Sequence, residues 1–126
     1  MKFIFDNCIS QDLARAIGIL DKAEKIIHLQ DRFPEDIKDK ELLTDIGKHD
    51  FFLITKDKYI RKRAAEKEAF KKYKVGAFIL TGKNLNRWQI IRFIINNWEK
   101  IKETAGRIRR PFAFRIKRDG IERLSL

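Results

Sequence analysis

Asp6 and Asp57 each follow a short apolar run, Lys2-Phe3-Ile4-Phe5 before the first and Phe51-Phe52-Leu53-Ile54-Thr55-Lys56 before the second. Such runs read as buried β-strands. A carboxylate just past the carboxyl end of a strand stands where open α/β sheets bind their ligands. Asp36, Asp39 and Glu41 form a third acidic group between the two runs, at the start of a helical pattern. Carboxylates converging on one crevice repel each other unless a cation neutralises them. Donors that are all oxygen select hard ions, Mg2+ or Mn2+. Such an ion can activate water and stabilise the charge on a phosphodiester under attack. Asp6, Asp39, Glu41 and Asp57 are therefore the candidate metal ligands and catalytic residues. Asp39 and Glu41 lie two apart, so a helix splays them, with one facing the crevice and the other working through water or from the rim. Taken singly, each of these acids also has a plainer reading as a helix cap or dipole partner.

The charge is uneven along the chain. Residues 1–57 carry 9 basic and 12 acidic side chains, and residues 58–126 carry 20 and 6, in a chain of net charge +11. An acidic pocket beside a basic surface suits an enzyme that acts on a polyanion, and nucleic acid is the expected partner. The alternative is a solubilising surface with no specific partner. The 126 residues suit one core, and no apolar run approaches the roughly 18 needed to cross a membrane. The Met1-Lys2 start is charged too early for a secretory signal. One cysteine, Cys8, excludes an intrachain disulfide and fits a reducing cytoplasm. No Cys/His zinc pattern exists, and His28 and His49 read as structural.

The elements that must position the acids alternate. A strand at Lys2–Phe5 precedes a helix capped by Ser10, with Leu13, Ala14, Ile17 and Leu20 at helical spacing. Ile26–Leu29 is a second strand. Ile37, Leu42, Leu43 and Ile46 mark a helix stopped by Gly47. Phe51–Thr55 is the third strand, Tyr59–Tyr73 a helix and Val75–Leu80 the fourth strand. A long helix capped by Asn84 or Asn86 carries an apolar stripe of Trp88, Ile91, Ile94, Ile95, Trp98 and Ile101. The order β-α-β-α-β-α-β-α implies a mostly parallel sheet with helices on both faces. Residues 1–106 are read as this α/β domain. Residues 107–126 are read as a basic β-hairpin packed on it, with its turn at Asp119-Gly120. In its first strand Phe112, Phe114 and Ile116 alternate with Ala113, Arg115 and Lys117. The apolar face must be covered by the long helix or by a second copy of the chain, so a homodimer is also expected.

The basic residues near the acids are candidate phosphate contacts. Lys56, Lys58, Arg61, Lys62 and Arg63 flank Asp57, and the alternative for them is a solvated helix face paired with Glu66 and Glu68. Asn7 opens the first loop beside Asp6. Lys83 and Arg87 stand near the start of the long helix, where phosphates bind readily. Arg109, Arg110 and Arg115 would extend the groove along the tail. Cys8 has no base linked to it by sequence and reads as a small packing residue.

Phe5-Asp6-Asn7-Cys8-Ile9-Ser10 with Leu13-Ala14-Arg15-Ala16, then Asp39-Lys40-Glu41-Leu42, then Leu53-Ile54-Thr55-Lys56-Asp57-Lys58 stand in order along the chain. Together these segments resemble the PIN-like family, in particular its branch related to VapC-type toxins. Arg61–Glu66 and Gly82–Trp88 are similar to that branch as well. The resemblance implies a three-layer PIN-like fold and a Mg2+- or Mn2+-dependent ribonuclease, with Asp6, Asp39, Glu41 and Asp57 at the family's acidic positions. It also implies a toxin restrained by an antitoxin protein. One departure is visible. Many such nucleases carry another acid a few residues past the strand-end Asp, whereas Lys58, Tyr59, Ile60 and Arg61 follow here. That leaves a second expectation standing, a nucleic-acid-binding module that no longer cleaves.

Overall fold

The computed structural model describes all residues, 1–126. Six strands form one sheet: β1 (Lys2–Phe5), β2 (Lys25–His28), β3 (Phe51–Thr55), β4 (Gly76–Leu80), β5 (Phe112–Lys117) and β6 (Gly120–Leu124). Their order is β2-β1-β3-β4-β5-β6. All neighbours from β2 to β5 run parallel, and β6 returns antiparallel to β5. Four helices connect them: α1 (Gln11–Leu20), α2 (Asp39–Lys48), α3 (Ala64–Lys72) and α4 (Arg87–Arg107).

The sheet is buried on both faces, and the alternation along each strand sorts its side chains into two cores. Phe3, Phe5, Phe52, Ile54, Phe78, Phe112 and Phe114 point to one face, where Leu13 and Ile17 of α1 and Ile94, Trp98 and Ile101 of α4 cover them. Ile4, Leu53, Ala77, Ile79 and Ala113 point to the other, under Leu42, Leu43 and Ile46 of α2 and Phe70 of α3. The chain is thus a three-layer α/β fold with a mostly parallel sheet, as the alternation of patterns implies. The first face is rich in stacked and edge-on rings, with Phe3 and Trp98 centroids 4.9 Å apart.

The tail is not an appendage. β5 pairs with β4 along its length, from Gly76 opposite Phe112 to Leu80 opposite Ile116. The apolar side of that strand is covered within the chain by α4. α4 is fixed at its start and along its second half. Asn86 and Gln89 form a capping box. Trp98 Nε1 and Lys102 Nζ both donate to Asp21 Oδ2, at 2.9 and 2.7 Å, tying α4 to the end of α1.

Three local expectations are corrected. Trp88 is exposed, as is Ile95 two helical turns on, so this side of the stripe faces away from the sheet while Ile91, Ile94, Trp98 and Ile101 meet it. Gly47 lies inside α2 and does not stop it. A Cβ there would fall 2.5 Å from the Tyr73 carbonyl oxygen, so glycine lets α2 press against the end of α3. The third helix begins at Ala64 instead of Tyr59, and residues 58–63 fold as turns. No helix is long and apolar enough to cross a membrane.

Candidate active site at the carboxyl edge of the sheet

All five parallel strands end on one side, and the acids gather there. Asp6 directly follows β1, and its amide still bonds to the Ile54 carbonyl of β3 at 2.9 Å. Its Oδ1 accepts the Asn7 amide at 2.7 Å, and its Oδ2 accepts the Thr55 hydroxyl at 2.5 Å. Thr55 Oγ1 in turn accepts the Asp57 amide at 3.0 Å. A fully buried threonine at the end of β3 thereby holds both strand-end acids. Asp57 caps its own loop, with Oδ1 accepting the Tyr59 amide at 3.0 Å. The loop is pinned by Ile60, which is buried in the core under α2 and α3.

Two helix starts supply further acids. Asp39 is the first residue of α2, and Glu66 lies in the first turn of α3. The positive ends of both helix dipoles therefore face carboxylates. Arg63 stands among them. Its guanidinium donates to Asp57 Oδ2 at 3.0 Å and to Asp39 Oδ2 at 3.3 Å, and it lies 4.0 Å from Glu66 Oε1. Partial burial, then the charges of Asp57 and Asp6, raise the pKa of Asp39 above its ordinary value; Arg63 offsets part of this and Glu66 adds to it. The hydrogen bonds to Asp57 hold the proton of Arg63 more firmly still.

Of the four acids expected to act together, Asp6, Asp39 and Asp57 are brought to one crevice. Glu41 is exposed, and the helix turns it away from Asp39. Asp36 is likewise exposed. Glu66, read only as a surface ion-pair partner, joins the group instead. It lies nine positions past Asp57 in sequence, where the turns of residues 58–63 fold the chain back.

The basic candidates fall in four places. Lys56, Lys58, Arg61, Lys62, Lys83 and Arg115 line a cleft of about 620 Å3 together with Asp57. Arg63 sits in the acidic cluster, and Arg87 lies at the start of α4, 3.7 Å from Asp12. Asn7 is exposed beside Asp6, with its side-chain amide donating to the Glu35 carbonyl at 3.4 Å. Arg109 and Arg110 precede β5 and so lie at the opposite, amino-terminal edge of the sheet. Arg110 is paired there with Asp50 at 2.8 Å. Cys8 accepts the Lys56 amide through Sγ at 3.3 Å, which ties the first loop to the end of β3. His28 is buried and structural, with Nδ1 accepting the Gln30 amide and Nε2 on the Ile9 carbonyl at 2.7 Å.

An oxygen-only set of crowded carboxylates has the chemistry of a hard-cation site. As placed, no three of them converge closely enough to share an ion, and Arg63 stands between Asp39 and Asp57 in the role of counter-charge. A family model described as a PIN-like domain matches residues 1–82, which include every acid of this cluster. Neither a curated protein nor a solved structure matches the chain. PIN-like domains are generally nucleases and use divalent metal ions, and a match over this much of the sequence shows that the chain belongs to the PIN-like domain family.

Proposed function

We propose that the protein is a Mg2+- or Mn2+-dependent endoribonuclease. The observation that carries this reading is the meeting of Asp6, Asp39, Asp57 and Glu66 at the carboxyl edge of the sheet, beside a cleft lined by six cations. Asp6, Asp39 and Asp57, with Glu66 beside them, would hold the ion through oxygen once Arg63 turns aside. A divalent cation there supplies a water of lowered pKa and neutralises charge on the phosphodiester. Thr55 fixes the rotamer of Asp6 and the amide of Asp57, so the first donors are oriented before any ligand arrives. Lys56 and Lys58 next to Asp57 are suited to hold the strand's phosphates in register.

The test is cleavage of single-stranded RNA by the purified protein with Mg2+, Mn2+ or EDTA, alongside Asp6→Asn and Asp57→Asn. Cleavage in Mn2+ that both substitutions abolish is expected. Metal-independent cleavage, or full activity in either variant, would sink the reading.

A second reading has its own observation. Arg63 already neutralises Asp39 and Asp57, so the cluster is satisfied without a metal. On this reading the chain is a nucleic-acid-binding module that does not cleave. Calorimetric titration with Mn2+ separates the two: saturable binding favours the nuclease, and no heat in the wild type favours the module. The similarity to VapC-type toxins extends the first reading to a toxin held by an antitoxin protein. Growth arrest on expression, relieved by Asp57→Asn, supports that role. Unimpaired growth at high expression of active protein argues against it.

A further inference from the structure

Arg61 is only 9 % exposed, yet its Nε is buried with no hydrogen-bond partner and no carboxylate pairs with it. A buried cation left unpaired is costly, and folded chains usually answer it with an anion. Arg61 lines the cleft beside Asp57. Arg115 of β5 lines the same cleft; its Nε is also buried without a hydrogen-bond partner, and its only ion-pair contact is a long one, 3.8 Å from Nη1 to Glu122 Oε1. Lys56, Lys58, Lys62 and Lys83 complete a lining that holds six cations against the single carboxylate of Asp57. Ile79, Leu80 and Leu124 form its apolar part. Arg115 and Leu124 belong to the C-terminal hairpin, outside the segment that matches the family model.

We propose that this cleft is a binding pocket for a phosphomonoester, the terminal phosphate of a nucleic-acid strand or of a free nucleotide. A phosphomonoester carries nearly two charges and three free oxygens, against one charge and two free oxygens for a phosphodiester inside a strand. It answers a lining of net five positive charges more fully, and guanidinium groups are suited to grip two of its oxygens at once. Bound there, a terminal phosphate would set a strand end against Asp57, and cleavage would fall at a fixed short distance from that end. Only this last consequence rests on the nuclease reading, and the pocket itself does not.

The experiment is fluorescence anisotropy in EDTA, so that neither metal nor cleavage contributes. The probes are three short single-stranded RNAs of one sequence, with a 5′-phosphate, a 3′-phosphate or neither. Adenosine monophosphate and adenosine serve as competitors. One phosphorylated RNA should bind about tenfold tighter than the unphosphorylated one. Arg61→Gln should reduce that preference to within about twofold. If Arg61→Gln does not fold, the double variant Lys83→Gln, Arg115→Gln carries the same expectation. Competition by adenosine monophosphate with no preference among the RNAs assigns the pocket to free nucleotides. Equal binding of all three RNAs, with adenosine monophosphate no better than adenosine, would overturn the proposal. Asp6→Asn should lose cleavage and keep the end preference, because Asp6 does not line the cleft. Failure of the wild type to cleave in Mn2+ with end preference intact defeats the nuclease alone, and wild-type cleavage without end preference defeats the pocket alone.

Discussion

Thr55 reaches from the end of β3 to Asp6 at the end of β1, its hydroxyl 2.5 Å from Oδ2. The same oxygen of Thr55 receives the amide of Asp57. One buried hydroxyl thus couples two acids 51 positions apart in the chain, Asp6 and Asp57. Thr55→Val keeps the shape and removes the hydroxyl. We expect RNA cleavage to fall about 10- to 100-fold, with the fold kept, and Thr55→Ser to retain most activity. Kinetics of the two variants, with circular dichroism as the control, check this. Equal loss in both would mean that packing at Thr55 matters and the hydroxyl does not.

Arg63 competes with any cation for Asp39 and Asp57. Arg63→Gln should therefore bind Mn2+ several-fold more tightly than the wild type, as read by calorimetry. It should also lose thermal stability without metal, because three carboxylates then face one another with no counter-charge. Weaker Mn2+ binding in the variant would show that Arg63 supports the ion's site instead of blocking it.

The raised pKa of Asp39 makes a stability prediction with a definite sign. Below its ordinary value of 3.8 the group is protonated whether folded or unfolded, and it costs nothing. As pH climbs through the interval up to the raised folded value, the unfolded chain ionises more easily and folding becomes less favourable. Above that interval the cost is constant. Asp39→Asn should thus raise Tm at about pH 7 and leave it nearly unchanged at about pH 3. Adding Mn2+ should raise Tm for the wild type only. A lower Tm in the variant at neutral pH would show that the bond to Arg63 outweighs burial and repulsion.

The two edges of the sheet make separable predictions about RNA affinity. Lys83 and Arg115 line the cleft, whereas Arg110 is paired with Asp50 on the far edge. Neutralising Lys83 and Arg115 together should reduce the slope of log affinity against log salt by about 1.4, since each phosphate of a single strand that a cation neutralises adds about 0.7 to it. Arg110→Gln should leave that slope unchanged and lower stability, because Asp50 loses the partner that depresses its pKa. A slope that falls with Arg110→Gln would place RNA across both edges.

The layered sheet was legible because β-strands that are buried on both faces appear as continuous apolar runs, and the helical stripes lie between them. The sequence also carried the positions of Asp6 and Asp57, since a strand end fixes where the next side chain points. Glu66 was not legible. Its approach to the cluster depends on the turns of residues 58–63, and no periodicity marks them. The role of Arg63 was hidden for the same reason, as it looked like one more cation in a basic run. Trp88 and Trp98 share a stripe in sequence, but only the second meets the sheet. Gly47 looked like a helix terminator because glycine commonly is one, and its close approach to Tyr73 is a tertiary fact.

The strand order has a consequence for how the sheet is put together. β2 lies on one side of β1 and β3 on the other, and each later strand lies at the outer margin of the one before it. Assembly can proceed in the direction of synthesis, without any strand being threaded between two already joined. Until β6 is laid down, however, the growing margin is an apolar strand with open backbone donors and acceptors, the kind of margin that recruits other chains. β6 closes that margin with Glu122 and Arg123 near its middle, and Glu122 pairs with Arg115 and Lys117 of its neighbour. The segment that walls the cleft is therefore also the one that ends growth of the sheet, so loosening it for the sake of ligand entry would expose the molecule to self-association.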